Sequence, residues 1–115
     1  MFTSYFFSKK IDLTMNLVGI SRSIPGHLKG RVKVYKPLCP PWHLISSYKD
    51  NKIGRLQYEE EYRNTVLNKL DHHQVYKDLR HDAVLLCWEQ PDKFCHRHIA
   101  AGWLSANLGI EISEL

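Results

Sequence analysis

Residues 83–104 read AVLLCWEQPDKFCHRHIAAGWL, and this stretch decides the fold because it contains a strand, a loop and a helix in succession. Residues 83–86 form an apolar run that is long enough for one buried strand and too short for a helix. Residues 90–93 (Gln-Pro-Asp-Lys) have the composition of a turn. From Ile99 onward, apolar residues recur at three- and four-residue spacing, which predicts a helix that Gly109 ends.

The residue types that carry chemistry gather where this strand ends and this helix begins. Cys87 and Glu89 follow the strand, and Cys95, His96 and Arg97 open the helix. In open α/β sheets the carboxyl ends of the strands form the edge at which ligands bind. We therefore predict that the functional site lies at this edge.

The rest of the chain alternates further strand and helix patterns. Extended apolar segments predict strands at residues 2–7, 16–21 and 110–112, and helical spacing predicts helices at residues 41–50, 56–70 and 71–79. In the second of these helices, Tyr58 and Tyr62 are expected to pack in the core. The alternation favours an α/β fold with a small, mainly parallel sheet of about four strands flanked by helices. With 115 residues, we expect one domain spanning residues 1–115.

Positive charge is concentrated in one part of the chain. The formal net charge is +4, and no acidic residue occurs between Asp12 and Asp50. That interval contains six basic residues, among them Arg22 and Lys29. A basic region indicates an anionic partner, which we expect to be a nucleotide or another phosphorylated small molecule, with nucleic acid less favoured. A solvated basic surface without a partner would produce the same pattern.

The sequence indicates neither a membrane protein nor a secreted one. No apolar run approaches the roughly 18 residues that a membrane span needs. Residues 1–10 are apolar first and charged afterwards, which is the reverse of a secretory signal peptide. The cysteines, Cys39, Cys87 and Cys95, are odd in number and so argue against a disulfide framework. We therefore expect a cytoplasmic protein with no membrane partner.

Three kinds of chemistry are open to the residues at the start of this helix. The first is anion binding, because Arg97 lies in the first turn, where free backbone N–H groups already favour negative charge. Its guanidinium can hold a phosphate or carboxylate through two hydrogen bonds, and Arg22 and Lys29 could supplement it. Alternatively, Arg97 pairs internally with Glu89 or Asp92.

The second is thiol or acid–base chemistry. Cys95, at a helix N-terminus beside His96, is in an environment that lowers the pKa of a thiol and favours a nucleophilic thiolate. Glu89 could act as a general base or stabilise positive charge on a sugar-like substrate. Cys87 and Cys95 could instead be small buried residues that only pack.

The third is metal binding, since Cys87, Cys95, His96 and His98 are zinc-compatible side chains within twelve residues. The spacing is unfavourable, however. There is no Cys-x-x-Cys pair, and the two histidines would point about 200° apart on a helix. We therefore expect no metal and no other cofactor.

Residues 87–104 (CWEQPDKFCHRHIAAGWL) resemble the carboxyl-terminal signature of the DUF488 family in its short single-domain form. That family carries a strand ending in Cys-x-Glu, a short loop and then Cys-His-Arg opening a helix. Residues 3–6 (TSYF), 20–30 (ISRSIPGHLKG) and 38–41 (LCPP) are similar to its earlier segments. The resemblance covers nearly the whole chain and implies the family's fold. It implies no particular activity, because the family name records an unknown function.

We predict a site at the carboxyl edge of the sheet that binds an anionic small molecule, and enzymatic action on that molecule is the first hypothesis. The predicted catalytic residues are Glu89, Cys95 and Cys87, and the predicted ligand-binding residues are Arg22, Lys29, His96 and Arg97. The alternative is a non-enzymatic module that binds nucleic acid or a protein partner.

Overall fold

Five strands and four α-helices make up the structure, and the computed structural model describes all 115 residues. The strands are β1 (Phe2–Tyr5), β2 (Asn16–Gly19), β3 (Lys33–Val34), β4 (Ala83–Cys87) and β5 (Ser113–Glu114). The helices are α1 (Trp42–Lys49), α2 (Arg55–Thr65), α3 (His72–Leu79) and α4 (His96–Leu108). All strands are parallel and lie in the order β3-β2-β4-β1-β5. The predicted α/β class is confirmed.

The apolar strand β4 is the centre of the sheet, and each of its five residues is buried because strands pair on both of its sides. Its neighbours β1 and β2 run parallel to it, with Tyr5 opposite Cys87 and Gly19 opposite Leu86. These three strands therefore end at nearly the same level. The residues that follow β4 share one edge of the sheet with the residues that follow β1 and β2.

The two faces of the sheet are covered differently. Leu85 faces a large core to which all four helices contribute. Val84 and Leu86 face a smaller core, closed by loop residues and by a 3₁₀-helix (Gly26–Leu28). Alternate residues of a strand point to opposite faces. Cys87, two residues after Leu85, therefore lies on the helical face.

The helix ends follow the signals in the sequence. Asp71 caps α3 by accepting a hydrogen bond from the backbone N–H of His73 at 2.9 Å. Gly109 ends α4 in the left-handed conformation that glycine adopts without strain. Tyr58 and Tyr62 are buried in the large core, as predicted. None of the helices combines the length and hydropathy that crossing a bilayer would require.

The helix predicted at residues 56–70 is shorter than expected. As an α-helix it ends at Thr65, and a 3₁₀-helix (Leu67–Lys69) follows. The hydroxyl of Thr65 donates to the backbone carbonyl of Glu61 at 2.6 Å. Such back-bonding, together with two β-branched residues in succession at Thr65 and Val66, disfavours continuation of the helix.

The sheet has five strands where the sequence predicted about four. The additional strand, β3, pairs with β2 through only two residues, in a basic segment where the sequence shows no strong apolar pattern. The last strand is Ser113–Glu114 and not the predicted residues 110–112. The residues directly after α4 are still held against its last turn, because the Ser105 hydroxyl donates to the Ile110 carbonyl.

Candidate functional site

Cys87, Cys95 and His96 form a buried cluster at the carboxyl edge of the sheet. Cys87 ends β4, Cys95 is the cap residue of α4 and His96 is the first residue of that helix. The ligand atoms of the three side chains all lie within 4.8 Å of one another. Nδ1 of His96 is 3.7 Å from Sγ of Cys87 and 3.9 Å from Sγ of Cys95. The fold thus brings together three of the residues that the sequence singled out.

The other ring nitrogen of His96 determines the tautomer. Nε2 lies 2.5 Å from the carbonyl oxygen of Ile20, the residue that follows β2. A carbonyl oxygen only accepts hydrogen bonds, so in the neutral ring Nε2 carries the proton and Nδ1 is the acceptor. Sγ of Cys95 lies 3.9 Å from Nδ1, whereas Sγ of Cys87 is nearly equidistant from Nδ1 and Nε2, at 3.7 and 4.0 Å, and so lies beside the ring. The ring of Tyr62 packs edge-on against the imidazole, with a centroid distance of 5.6 Å. The imidazole of His96 is therefore held with Nδ1 free to accept a thiol proton.

The two thiols of the cluster have pKa values that move in opposite directions. Burial opposes ionisation of Cys95, but its hydrogen bonds with Cys87 and His96 outweigh burial and hold the pKa of the Cys95 thiol well below its ordinary value. The hydrogen bond to Cys95, and then burial, raise the pKa of Cys87 well above its ordinary value. The positive end of α4 adds to the stabilisation of a thiolate at Cys95. Cys95 is therefore the thiol that ionises first.

Cys39, the third cysteine, is buried outside the cluster. Its Sγ lies 3.6 Å from the backbone carbonyl of Tyr35. Burial raises the pKa of this thiol, more than the nearby charges of Arg22 and Lys36 lower it. Cys39 can therefore serve as the unreactive control cysteine within the same protein.

Arg97 lies next to His96 in sequence but in a different environment. Its side chain is fully buried. Nη2 donates to Oε2 of Glu114 at 2.8 Å, and Nε donates to Oε1 of the same carboxylate at 3.2 Å. Nη1 donates to the backbone carbonyl of Glu89 at 2.7 Å. The internal carboxylate partner of Arg97 is thus Glu114, and not the Glu89 or Asp92 side chain that the sequence suggested.

Glu114 connects three elements through this pair. Its Oε1 also accepts a hydrogen bond of 2.5 Å from the hydroxyl of Thr3 on β1. Burial alone would raise the pKa of Glu114, but the hydrogen bonds from Arg97 and Thr3 outweigh it and hold that pKa below its ordinary value. The ionised carboxylate thereby joins β5 and β1 to the first turn of α4.

The remaining predicted site residues, Glu89, Arg22 and Lys29, lie at the surface. Glu89 is exposed, two residues after β4. Arg22 is also exposed, and its Nε donates to the backbone carbonyl of Pro40 at 2.9 Å. Lys29 is exposed directly after the 3₁₀-helix. No side-chain hydrogen bond or ion pair joins Glu89, Arg22 or Lys29 to the cysteine–histidine cluster, so their proposed roles remain predictions.

Tyr58 of α2, which the sequence assigned to the core with ligand stacking as the less favoured alternative, packs beside the loop that leads to Cys95. Its side chain is 5% exposed and packs against Phe94 with a centroid distance of 5.3 Å. Burial raises the pKa of Tyr58, and negative charge on Cys95, Cys87 and Glu89 raises it further. Its hydroxyl keeps its proton and can act as a hydrogen-bond donor.

A cleft between α2 and α4 reaches Cys95. Its cavity volume is about 250 Å³, and it is lined by Glu59, Arg63, Phe94, Cys95, His98 and Ile99. The wall of this α2–α4 cleft therefore includes the predicted nucleophile, Cys95. A larger depression of about 660 Å³ on the outer side of α2 contains none of the predicted site residues.

The cysteine–histidine cluster is also the group that could hold a metal ion. A tetrahedral zinc ion would place its sulfur and nitrogen ligands about 3.6 Å apart. The distances of 3.7 and 3.9 Å fit that value, although thiol–imidazole hydrogen bonds account for them without an ion. His98, which the sequence offered as a fourth ligand, lies outside the cluster. The fold thus assembles three of the four candidate ligands.

Sequence reasoning missed several residues around this site. Glu114 had no distinguishing signal, because Glu111 is an equally acidic residue in the same terminal segment. Arg63 is a charged residue with no motif around it in the sequence, and only the packing of α2 against α4 makes it part of a cleft. The carbonyl of Ile20 had no signal at all, since every residue carries one.

Comparison with known families supports the resemblance drawn from the motif. A family model described as DUF488-N3a, active DUF488-N3 subclade, matches residues 13–108. The match therefore includes the strand, loop and helix that form the cysteine–histidine cluster. Comparisons with curated proteins and with solved structures found no match. Because the family model covers most of the chain, this protein belongs to the DUF488 family.

Proposed function

We propose that this protein binds an anionic small molecule, such as a nucleotide or another phosphorylated metabolite, at the carboxyl edge of its sheet. Cys95 acts on that ligand as a nucleophile, and Glu89 takes part as a general base. The description of the matching family model as an active subclade favours an enzyme. A cytoplasmic location belongs to the proposal, because three free cysteines suit a reducing compartment.

The observation that carries the proposal is the orientation of His96. Its Nδ1 lies 3.9 Å from Sγ of Cys95, while its Nε2–H is held by the carbonyl of Ile20. When the proton of Cys95 moves to Nδ1, the imidazolium keeps its bond to that carbonyl and holds the new thiolate. Cys87 remains protonated and donates to the same sulfur. This is the arrangement that a thiol nucleophile requires.

Anion binding is supported by the start of α4 and by Arg22. Cys95 is the N-cap residue of α4, and a helix N-terminus favours negative charge. Arg22 is exposed and is held through Nε alone, which leaves its two Nη groups for a ligand. Arg97 contributes differently, because its guanidinium is already bound by protein groups; it positions the first turn of α4.

The pH dependence of cysteine alkylation tests the proposal. Iodoacetamide is applied between about pH 5 and pH 9, and modification of each cysteine is followed by peptide mass spectrometry. We expect Cys95 to reach its half-maximal rate well below the ordinary thiol pKa of about 8.5, and Cys39 to stay unreactive. In His96→Gln the Cys95 profile moves to higher pH, because the proton acceptor is lost. An ordinary or raised pKa at Cys95 in the unaltered protein would overturn the proposal.

Native mass spectrometry provides an independent readout on ligand class. A bound mass that matches a phosphorylated metabolite supports anion binding. An excess of about 65 Da that disappears in Cys95→Ser, and persists in the control Cys39→Ser, would instead assign zinc to the cluster and end the nucleophile proposal.

A non-enzymatic nucleic-acid-binding module is the second candidate, and an aromatic surface favours it. Phe7 and Trp88 are 53% and 38% exposed, and their ring centroids are 5.9 Å apart. His27, in the basic segment, packs against Phe7 with a centroid distance of 5.3 Å. Exposed aromatic rings beside basic side chains bind single-stranded nucleic acids by stacking.

Two measurements separate the candidates. For an enzyme, Glu89→Gln abolishes turnover and spares affinity. For a nucleic-acid-binding module, affinity falls steeply with salt, and neutralising Lys29 and Arg31 flattens that dependence.

A further inference from the structure

We propose that the α2–α4 cleft is the route by which substrate reaches Cys95, and that Arg63 is the cation that receives the anionic group of the substrate. This inference rests on the proposed function for the reactivity of Cys95. It goes beyond that function by assigning the anion to a residue outside the Cys-His-Arg motif.

The shape of the cleft limits access to the sulfur. Cys95 is 4% exposed, so a reagent has to approach it through an opening in the surrounding packing. Cys95, Arg63 and the Glu59 partner of Arg63 all line the cleft. A molecule that reaches the sulfur from this side therefore passes a guanidinium.

Arg63 is free to change partners in a way that Arg97 is not. It pairs with Glu59 one helical turn earlier, with Nη2 and Nε 3.1 and 3.3 Å from the same oxygen, and its Nη1 has no partner. The two side chains are 42% and 39% exposed. Surface pairs of this kind contribute little stability and yield readily to another anion. Arg97 is fully buried and bound through all three of its nitrogens.

His98 supplies a second group for an anion in the cleft. His98 is one of the residues that line the cleft, and its Nε2 is buried without a hydrogen-bond partner. Buried polar atoms in folded proteins are nearly always hydrogen-bonded, so the unpartnered Nε2 of this residue indicates a missing hydrogen-bond partner. A phosphate or carboxylate oxygen provides that partner when Nε2 carries the proton.

The size of the cleft restricts the group that enters. A volume of about 250 Å³ is below the 300–1,000 Å³ of sites that enclose whole drug-sized ligands. The cleft therefore accepts one small anionic end of a substrate, such as a phosphate or carboxylate beside the reacting carbon or phosphorus. The remainder of a larger ligand, for example the base of a nucleotide, stays outside.

Two alkylating reagents of similar size test this assignment. Iodoacetate carries a carboxylate and iodoacetamide is neutral, and both transfer a carbon to sulfur with loss of iodide. We expect Arg63→Met to slow alkylation of Cys95 by iodoacetate about three- to tenfold and to leave the iodoacetamide rate unchanged, because only the charge interaction is lost. Arg63→Lys retains most of the iodoacetate rate. The control Lys77→Met, an equal loss of charge on the exposed side of α3, changes neither rate.

The outcomes separate this inference from the proposed function. An unchanged iodoacetate rate in Arg63→Met, or an equal fall in both rates, would overturn the role of Arg63 while leaving a reactive Cys95 intact. If Cys95 fails to react with iodoacetamide in the unaltered protein, the nucleophile proposal fails. In that case, anion binding in the cleft can still be tested by titrating the protein with inorganic phosphate and monitoring the NMR signals of the His98 ring. We expect saturable shifts that Arg63→Met weakens several-fold, and an absence of shifts would overturn the anion site.

Discussion

The first turn of α4 has two sides with different surroundings, although the residues on them are adjacent in sequence. On one side, Cys95 and His96 form a cluster with Cys87 in which protons can move. On the other side, Arg97 is buried against Glu114, with every nitrogen of its guanidinium hydrogen-bonded. Successive residues of a helix point about 100° apart, so neighbours in a motif face different surroundings. A Cys-His-Arg motif therefore contains a reactive side and a structural side.

This difference changes what a basic residue beside a reactive thiol implies. A guanidinium that is buried and bidentate with a carboxylate holds the helix start in place, and it is not free for a ligand. An exposed guanidinium in a weak surface pair, such as that of Arg63, is free for one. The position of an arginine in a motif therefore says less about anion binding than its partners in the fold do.

The largest expected effect on stability is on the structural side. Arg97→Met keeps much of the packing volume but leaves Glu114 without its cation, which should lower the free energy of unfolding by about 3 kcal/mol or more. The matched control Arg63→Met removes a surface pair and should cost less than about 1 kcal/mol. Urea denaturation followed by circular dichroism measures both. Equal losses would contradict the distinction between the two arginines.

A smaller effect, with a defined pH dependence, is expected at Glu114. Its pKa is lower in the folded protein than when unfolded, so ionisation contributes stability that is fully present above the unfolded pKa of about 4.3. That stability is lost as the pH falls through the lower folded pKa. Glu114→Gln should therefore be less stable than the unaltered protein at neutral pH, and the difference should shrink below about pH 4. Urea midpoints across pH measure it, and a difference independent of pH would contradict the ionised pair.

The smallest effect is expected at Thr3. Thr3→Val keeps the shape and strand preference of the side chain and removes the hydroxyl that donates to Glu114. The free energy of unfolding should fall by about 1 kcal/mol, and the pH profile of Cys95 alkylation should not move. A shifted Cys95 profile in this variant would show that the two sides of the turn are coupled.

Local sequence signals predicted most of the fold. The apolar run of β4, the turn residues after it, the cap at Asp71 and the glycine after α4 each specify their element within a few residues. The predicted end of the second helix was wrong because local signals compete there. The apolar spacing continues past Thr65, but the hydroxyl of Thr65 donates a hydrogen bond to the carbonyl of Glu61 in the preceding turn. The two-residue strand β3 was missed for another reason. β3 is defined by its hydrogen bonds to the neighbouring strand β2. Its own two residues are exposed, so no buried apolar pattern marks them in the sequence.

The sequence by itself determined the α/β class, the central buried strand and the placing of Cys87, Cys95 and His96 at a strand end and a helix start. These features depend on contacts between residues near one another in the chain, which periodicity and capping residues encode. Only the tertiary structure decided the proton on His96, because the carbonyl that fixes it is 76 residues away. It likewise decided the partner of Arg97 and the position of Arg63 in a cleft. Those roles depend on which distant groups the packing brings together, and local sequence does not encode such distances.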